Sequence, residues 1–141
     1  MGSYTDRQCQ NYGEYLESRG FGLAERLRLR AKSIEKHFTR KCCDFRVSYK
    51  DVGYNEIEIN HVVFDVWHIS QHPYTTDDQR VRFTKDGELL VVEWYPFGDE
   101  QFNETNRYYI KDNLLNMETE YNGVKMQCSF YQTEGDVAFV L

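Results

Sequence analysis

The chain has 141 residues, 40% hydrophobic and 28% charged, with a net charge of −6. That is the length of one domain, too apolar for disorder and long enough to bury a core without metal or disulfide support. The excess of acid argues against a nucleic-acid partner, and no apolar run approaches the ~20 residues of a transmembrane helix.

The first residues, Met1 to Asp6, carry neither a basic nor an apolar region, which predicts no signal peptide. Asp6 also stands where a myristoylation motif takes Ser or Thr. The cysteines Cys9, Cys42, Cys43 and Cys128 show no metal-ligand spacing. Without an export signal they are expected as reduced thiols in a cytoplasmic protein. The adjacent pair Cys42-Cys43 points to opposite strand faces, so a bond between them would be strained.

Helical spacing comes first in the chain. Tyr12, Tyr15 and Leu16 fall at i, i+3, i+4, with Asn11 or Ser18 as candidate caps and Gly20 and Gly22 as interruptions. In the next segment Leu23 and Leu27 share a face with Ala24, and Leu29 lies off that stripe. Two short helices joined by a glycine turn follow from this.

After about Ser33 the period becomes two. The runs Cys43 to Tyr49, Asn55 to Asn60, Val81 to Phe83, Leu89 to Trp94 and Leu115 to Tyr121 read as strands. Between them stand the turn signals Asp51-Val52-Gly53, Lys85-Asp86-Gly87, Lys111-Asp112-Asn113 and Tyr121-Asn122-Gly123. Hairpins at short, regular spacing predict an antiparallel meander, and closure into a β-barrel removes its exposed edges. Leu115, Met117, Thr119, Met126, Cys128 and Phe130 share the inward phase. They form either the wall of a ligand cavity or a filled core.

The stretch Asn11-Tyr12-Gly13-Glu14-Tyr15-Leu16, followed by Gly20-Phe21-Gly22 and a second helix, resembles the helix-turn-helix signature of the cytosolic fatty-acid-binding proteins. Gly2-Ser3-Tyr4 sits where that family has Gly-Thr-Trp. Thr75-Thr76-Asp77-Asp78-Gln79 is similar to its Thr-Ala-Asp-Asp-Arg, Asp86-Gly87 with Leu89 to Trp94 to its Asp-Gly-Lys-Leu run, and Asn122-Gly123-Val124 to its Asn-Gly-Val. The resemblance spans about residues 2 to 132 and is weakest over 33 to 74. It implies an all-β fold, a ten-stranded antiparallel up-and-down barrel with an N-terminal helix-turn-helix lid over residues 1–132, and a C-terminal tail of residues 133–141.

The resemblance also implies a monomer that binds one long-chain apolar ligand, a fatty acid or a neutral lipid or retinoid, and needs no cofactor. Each buried methylene contributes roughly 0.8 kcal/mol to such binding. The family holds the ligand carboxylate with an Arg on one late strand and an Arg-x-Tyr pair on the last strand. Aligned on Asn122-Gly123-Val124, the pair becomes Cys128 and Phe130, and the earlier Arg becomes Tyr108 beside Arg107. Arg107 and Tyr108 cannot both face inward without a bulge, and Tyr131 replaces the lost Tyr only if the strand slips. The expected contacts are therefore Tyr12, Leu16 and Phe21 at the portal helices, with Ile59, Thr76 and Asp77 near the portal or lower cavity. Leu115, Met117, Met126, Cys128 and Phe130 form the wall, and Arg107 or Tyr108 supplies a polar contact.

Arg26, Arg28, Arg30 and Lys32 make the second helix basic, which suits transient contact with an anionic membrane or a solvated face. His68 and His72 lack a third ligand, so no metal site is expected, and Cys128 has no adjacent base, so no enzyme activity is expected. The tail ends Phe139-Val140-Leu141, a terminus of the kind that adds a strand to a peptide-binding groove. The competing reading is a barrel scaffold without cargo, acting as an interaction module or a stress protectant.

Overall fold

The computed structural model describes residues 2–40, 47–52, 55–98 and 102–135. Cys42, Cys43 and the end of the tail lie outside them. In chain order the elements are β1 (Gly2–Gln10), α1 (Tyr12–Ser18), α2 (Leu23–Arg30), β2 (Glu35–Arg40), β3 (Val47–Val52) and β4 (Glu56–Val62). Then come β5 (Trp67–Gln71), β6 (Asp78–Asp86), β7 (Leu89–Pro96), β8 (Glu104–Lys111), β9 (Leu114–Tyr121) and β10 (Val124–Gly135).

Local turn chemistry sets the meander. The β8–β9 hairpin turns on Asp112 and Asn113, at φ 56° and 61°, and the β9–β10 hairpin on Asn122 and Gly123, at φ 49° and 75°. Two consecutive left-handed residues match the twist of the flanking strands, and Asn, Asp and Gly enter that region with the least strain. The sheet order is β4-β3-β2-β1-β10-β9-β8-β7-β6-β5, so the first and last strands of the chain pair with each other. β4 and β5, at the two ends of that order, lie side by side without a ladder. There the Asn55 side-chain amide donates to Pro73 O at 3.1 Å and ties the start of β4 to the β5–β6 turn.

Period-2 alternation decides the inside. Leu90, Val92 and Trp94 on β7, Tyr108 on β8, Leu115 and Met117 on β9, and Met126, Cys128 and Phe130 on β10 are all buried. Register sets Tyr108 opposite Met117, and Met117 opposite Cys128. Rings also cross the interior. Phe38 on β2 packs edge-on against Tyr108 on β8 with centroids 5.4 Å apart, and against Tyr4 at 6.4 Å.

Three features were not read from the sequence. First, Leu29 anchors α2 at 1% exposure, whereas Leu23 and Leu27 are 64% and 58% exposed. The helix has only eight residues, so its position is fixed by one side chain of its last turn rather than by a stripe. Second, β10 continues through Thr133 to Gly135, which pairs with Gly2, and Thr133 Oγ1 donates to Ser3 O at 3.1 Å. The first residues beyond 132 are thus strand. Third, Cys9 and Cys128 are joined in a disulfide rather than standing as reduced thiols. They are 119 residues apart in sequence and become direct partners only because β1 closes against β10.

Candidate functional site

The end of the barrel beneath α1 is built around a buried polar network. Its first member comes from the way α1 stops. Gly20, at φ 94°, donates its N–H to Glu17 O at 3.0 Å, and Phe21 N donates to Leu16 O at 3.1 Å. This is a Schellman ending, which favours glycine at the left-handed position and an apolar contact between the residues at its two ends. Leu16 is fully buried and Phe21 packs against the same cluster. Arg19 caps the helix and turns its side chain into the barrel rim. At the other end of α1, Asn11 takes the cap position in a left-handed conformation without a side-chain cap bond, and its amide donates to Lys125 O at 3.1 Å.

Side chains from α1 and its C-cap, the β5–β6 turn and β8 meet on one carboxylate. Glu104, the first residue of β8, accepts on Oε1 from Tyr15 Oη at 2.5 Å, and from Arg19 Nη2 at 2.8 Å and Nε at 3.2 Å. Its Oε2 accepts from His72 Nε2 at 3.1 Å. The Arg19 and Glu104 side chains are 3% and 4% exposed and that of His72 is 0%. Arg19 also lays its guanidinium over the Tyr121 ring, 3.6 Å from the centroid. His72 lies in the β5–β6 turn, where Tyr74 N and Thr75 N donate to its Nδ1 at 3.1 and 3.3 Å. Those two donors require a lone pair on Nδ1, which places the ring proton on Nε2, aimed at Glu104. Tyr74 extends the network to α1 by an Oη–Oη hydrogen bond of 2.9 Å with Tyr12.

The electrostatics follow from burial and pairing. Burial pushes the Glu104 carboxyl up, but His72, Arg19 and the Tyr15 hydroxyl outweigh it and hold the pKa at about 2. Tyr15 is raised well above its ordinary value, by burial first and then by the Glu104 charge. Arg19 stays protonated because Glu104 more than offsets its desolvation. The network therefore sets the Arg19 guanidinium against the Glu104 carboxylate, with four donors on that carboxylate.

The residues singled out from sequence divide by position. Tyr12 and Leu16 are buried residues of α1, and Ile59 is buried on β4. Leu115, Met117, Met126, Cys128 and Phe130 stand on the inner face, with Cys128 bridged to Cys9. Of the β8 pair, Tyr108 faces inward and Arg107 takes the opposite face, in register with Glu118. Tyr131 is exposed on the outer face of β10. Thr76 and Asp77 lie in the β5–β6 turn. There Thr76 takes φ 64°, and the Asp77 carboxylate accepts from Thr75 and from the Gln79 amide. Arg26 is tied back to Phe21 O at 3.0 Å, whereas Arg28, Arg30 and Lys32 are exposed. Among the described residues no cluster of His, Cys, Asp or Glu is arranged to hold a metal.

Sequence reading passed over Arg19 and Glu104 and left His72 as an isolated histidine. One signal was present: Glu104 shares its phase with Asn106 and Tyr108, so inward burial follows from parity alone. The identity of its partners had no local sign.

Comparison with known proteins agrees on architecture. No protein-family model and no curated protein matches the sequence. Among solved structures, As-p18, an extracellular fatty acid binding protein, shares 18% identity over 94% of this chain and 95% of its own, with a TM-score of 0.82. Fatty-acid-binding protein 1 of Echinococcus granulosus shares 10% identity over 95% of this chain and 97% of its own, at 0.80. The fluorescent protein UnaG shares 16% over 94% and 96%, at 0.75.

Proposed function

We propose that this chain, which has the β-barrel fold of the fatty-acid-binding proteins, is a divergent lipid-binding protein of that kind. It holds a long-chain hydrophobic ligand in the barrel and lacks the family's arginine–tyrosine clamp on its last strands. The observation that carries this is the inner face of β8 to β10. Tyr108, Cys128 and Phe130 fill the positions aligned with that clamp, among Leu115, Met117 and Met126. Such a wall favours methylenes and gives a carboxylate no charged partner. Helices α1 and α2 act as the lid, and the protein works as a monomeric carrier without cofactor or catalysis. Native mass spectrometry of the purified protein, with extraction of any bound lipid, is expected to show one apolar molecule per chain. A protein that is always empty and displaces no fluorescent fatty-acid or retinoid probe would end this reading.

A second reading has its own support. The Phe38 and Tyr108 rings meet across the lumen from strands four places apart in the sheet. A barrel filled by such contacts is a scaffold without cargo, and the same experiment separates the two.

Helix α2 supplies the membrane contact in this proposal. Leu23 and Leu27 stand exposed beside Arg28, Arg30 and Lys32. Arg30 and Lys32 also line a cleft of about 480 Å³ with Arg7 against β1. Apolar side chains that enter a lipid interface next to cations suit an anionic surface. Arg28→Gln with Arg30→Gln is expected to weaken binding to phosphatidylserine vesicles by roughly tenfold or more, at about 1 kcal/mol per charge. Unchanged vesicle sedimentation would remove α2 from the proposal. A cytoplasmic location would keep Cys9 and Cys128 reduced, while their bridged state belongs to an oxidising compartment.

A further inference from the structure

The polar network beneath α1 has the composition of a carboxylate-binding site, and the chain itself fills it. Arg19 offers a guanidinium edge, Tyr15 a phenol and His72 an imidazole N–H, from a helix end, the middle of that helix and a turn. All four hydrogen bonds end on the two oxygens of Glu104, from β8. A guanidinium with a phenol is the donor set that a buried fatty carboxylate would need. We propose that Tyr15, Arg19 and His72 form a carboxylate clamp occupied by the resident Glu104, and that this occupancy steers the barrel toward ligands with an uncharged head, such as a long-chain alcohol, amide or ester.

Charge counting supports the choice. Arg19 is matched by Glu104, and His72 already gives its Nε2 to that carboxylate while its Nδ1 accepts from two backbone amides. A second carboxylate at this end meets a like charge and donors already engaged. A hydroxyl or amide head brings no charge to be neutralised. Lys36, the other buried cation among the described residues, sits on β2 opposite Tyr4, away from the end of β1 that leads into α1.

The inference rests on the carrier reading, and its test separates the two. Oleate and oleyl alcohol compete with an uncharged fluorescent lipid probe on the wild type and on Glu104→Gln. The wild type is expected to favour the alcohol by about tenfold, and Glu104→Gln, which leaves Arg19 unmatched, to shift the ratio toward oleate by at least that factor. A wild type that prefers oleate, or a ratio unchanged in Glu104→Gln, overturns the steering. Glu104→Ala supplies an arm independent of lipid, because it empties the clamp. Acetate is expected to raise its melting temperature, or to restore its folding, while chloride at equal ionic strength does not. If no lipid binds any variant, the carrier reading falls, and acetate still decides the clamp: rescue upholds it and its absence overturns it.

Discussion

Arg19→Met is expected to destabilise the fold by about 3–5 kcal/mol, measured by denaturant unfolding, because it strands the Glu104 carboxylate inside the barrel. The figure comes from the cost of an unpaired buried charge rather than from the strength of the lost bonds. It also removes the stacking of the guanidinium on Tyr121 and two of the four hydrogen bonds to Glu104. The double variant Arg19→Met with Glu104→Met is expected to recover much of the loss, since two apolar side chains of similar length need no counter-charge. Equal losses in the single and double variants would show that packing, and not charge, sets the cost.

The same pair fixes the response to pH. Glu104 has a folded pKa of about 2 against an ordinary 4.5, a depressed carboxyl. Its contribution to stability is complete above about pH 4.5 and is lost as pH falls toward 2. Tyr15 has the opposite sense: its pKa is raised, so its contribution is present below pH 10 and is lost as pH rises further. Glu104→Gln is therefore expected to flatten the acid limb of the stability curve, read as the denaturation midpoint between pH 5 and pH 2. An acid limb as steep as that of the wild type would assign the acid loss to other carboxylates.

Much of this architecture is readable because it is decided locally. Asn122-Gly123 and Asp112-Asn113 specify hairpins through their own left-handed backbones, whatever lies elsewhere in the chain. The inner faces of β9 and β10 are legible for the same reason: once alternation starts, parity places Met117 and Cys128 inside. Leu29 was not legible. In a two-turn helix, periodicity marks the commonest apolar spacing, while burial is decided by where the helix end meets the barrel. The disulfide and the Arg19–Glu104–His72 network fail for a stronger reason. Each joins residues more than thirty positions apart, or on opposite sides of the strand closure, so no window of sequence contains the partners. The resemblance rests on turn residues and on the α1 ending, and the solved structures share the fold at only 10–18% identity.

Reduction of the Cys9–Cys128 bridge is expected to cost roughly 2–5 kcal/mol of stability, the upper part of that range reflecting the length of the loop it closes. The bond ties residue 9 to residue 128, so in the unfolded chain it removes the freedom of nearly the whole sequence. In the folded chain it staples the seam between β1 and β10, the pairing that joins the two ends of the chain. The seam needs that support. β1 carries irregularities at Ser3/Tyr4 and Asp6/Gln8, and the second stands beside Cys9. Cys9→Ser with Cys128→Ala removes the bridge without placing a hydroxyl at the buried position. This variant is expected to melt well below the oxidised wild type, to match wild type treated with a dithiol reductant, and to exchange the amide protons of β1 faster than those of β8 and β9. If reductant leaves the wild-type melting temperature unchanged while thiol titration shows the bond broken, the ladder alone holds the seam and the loop argument fails.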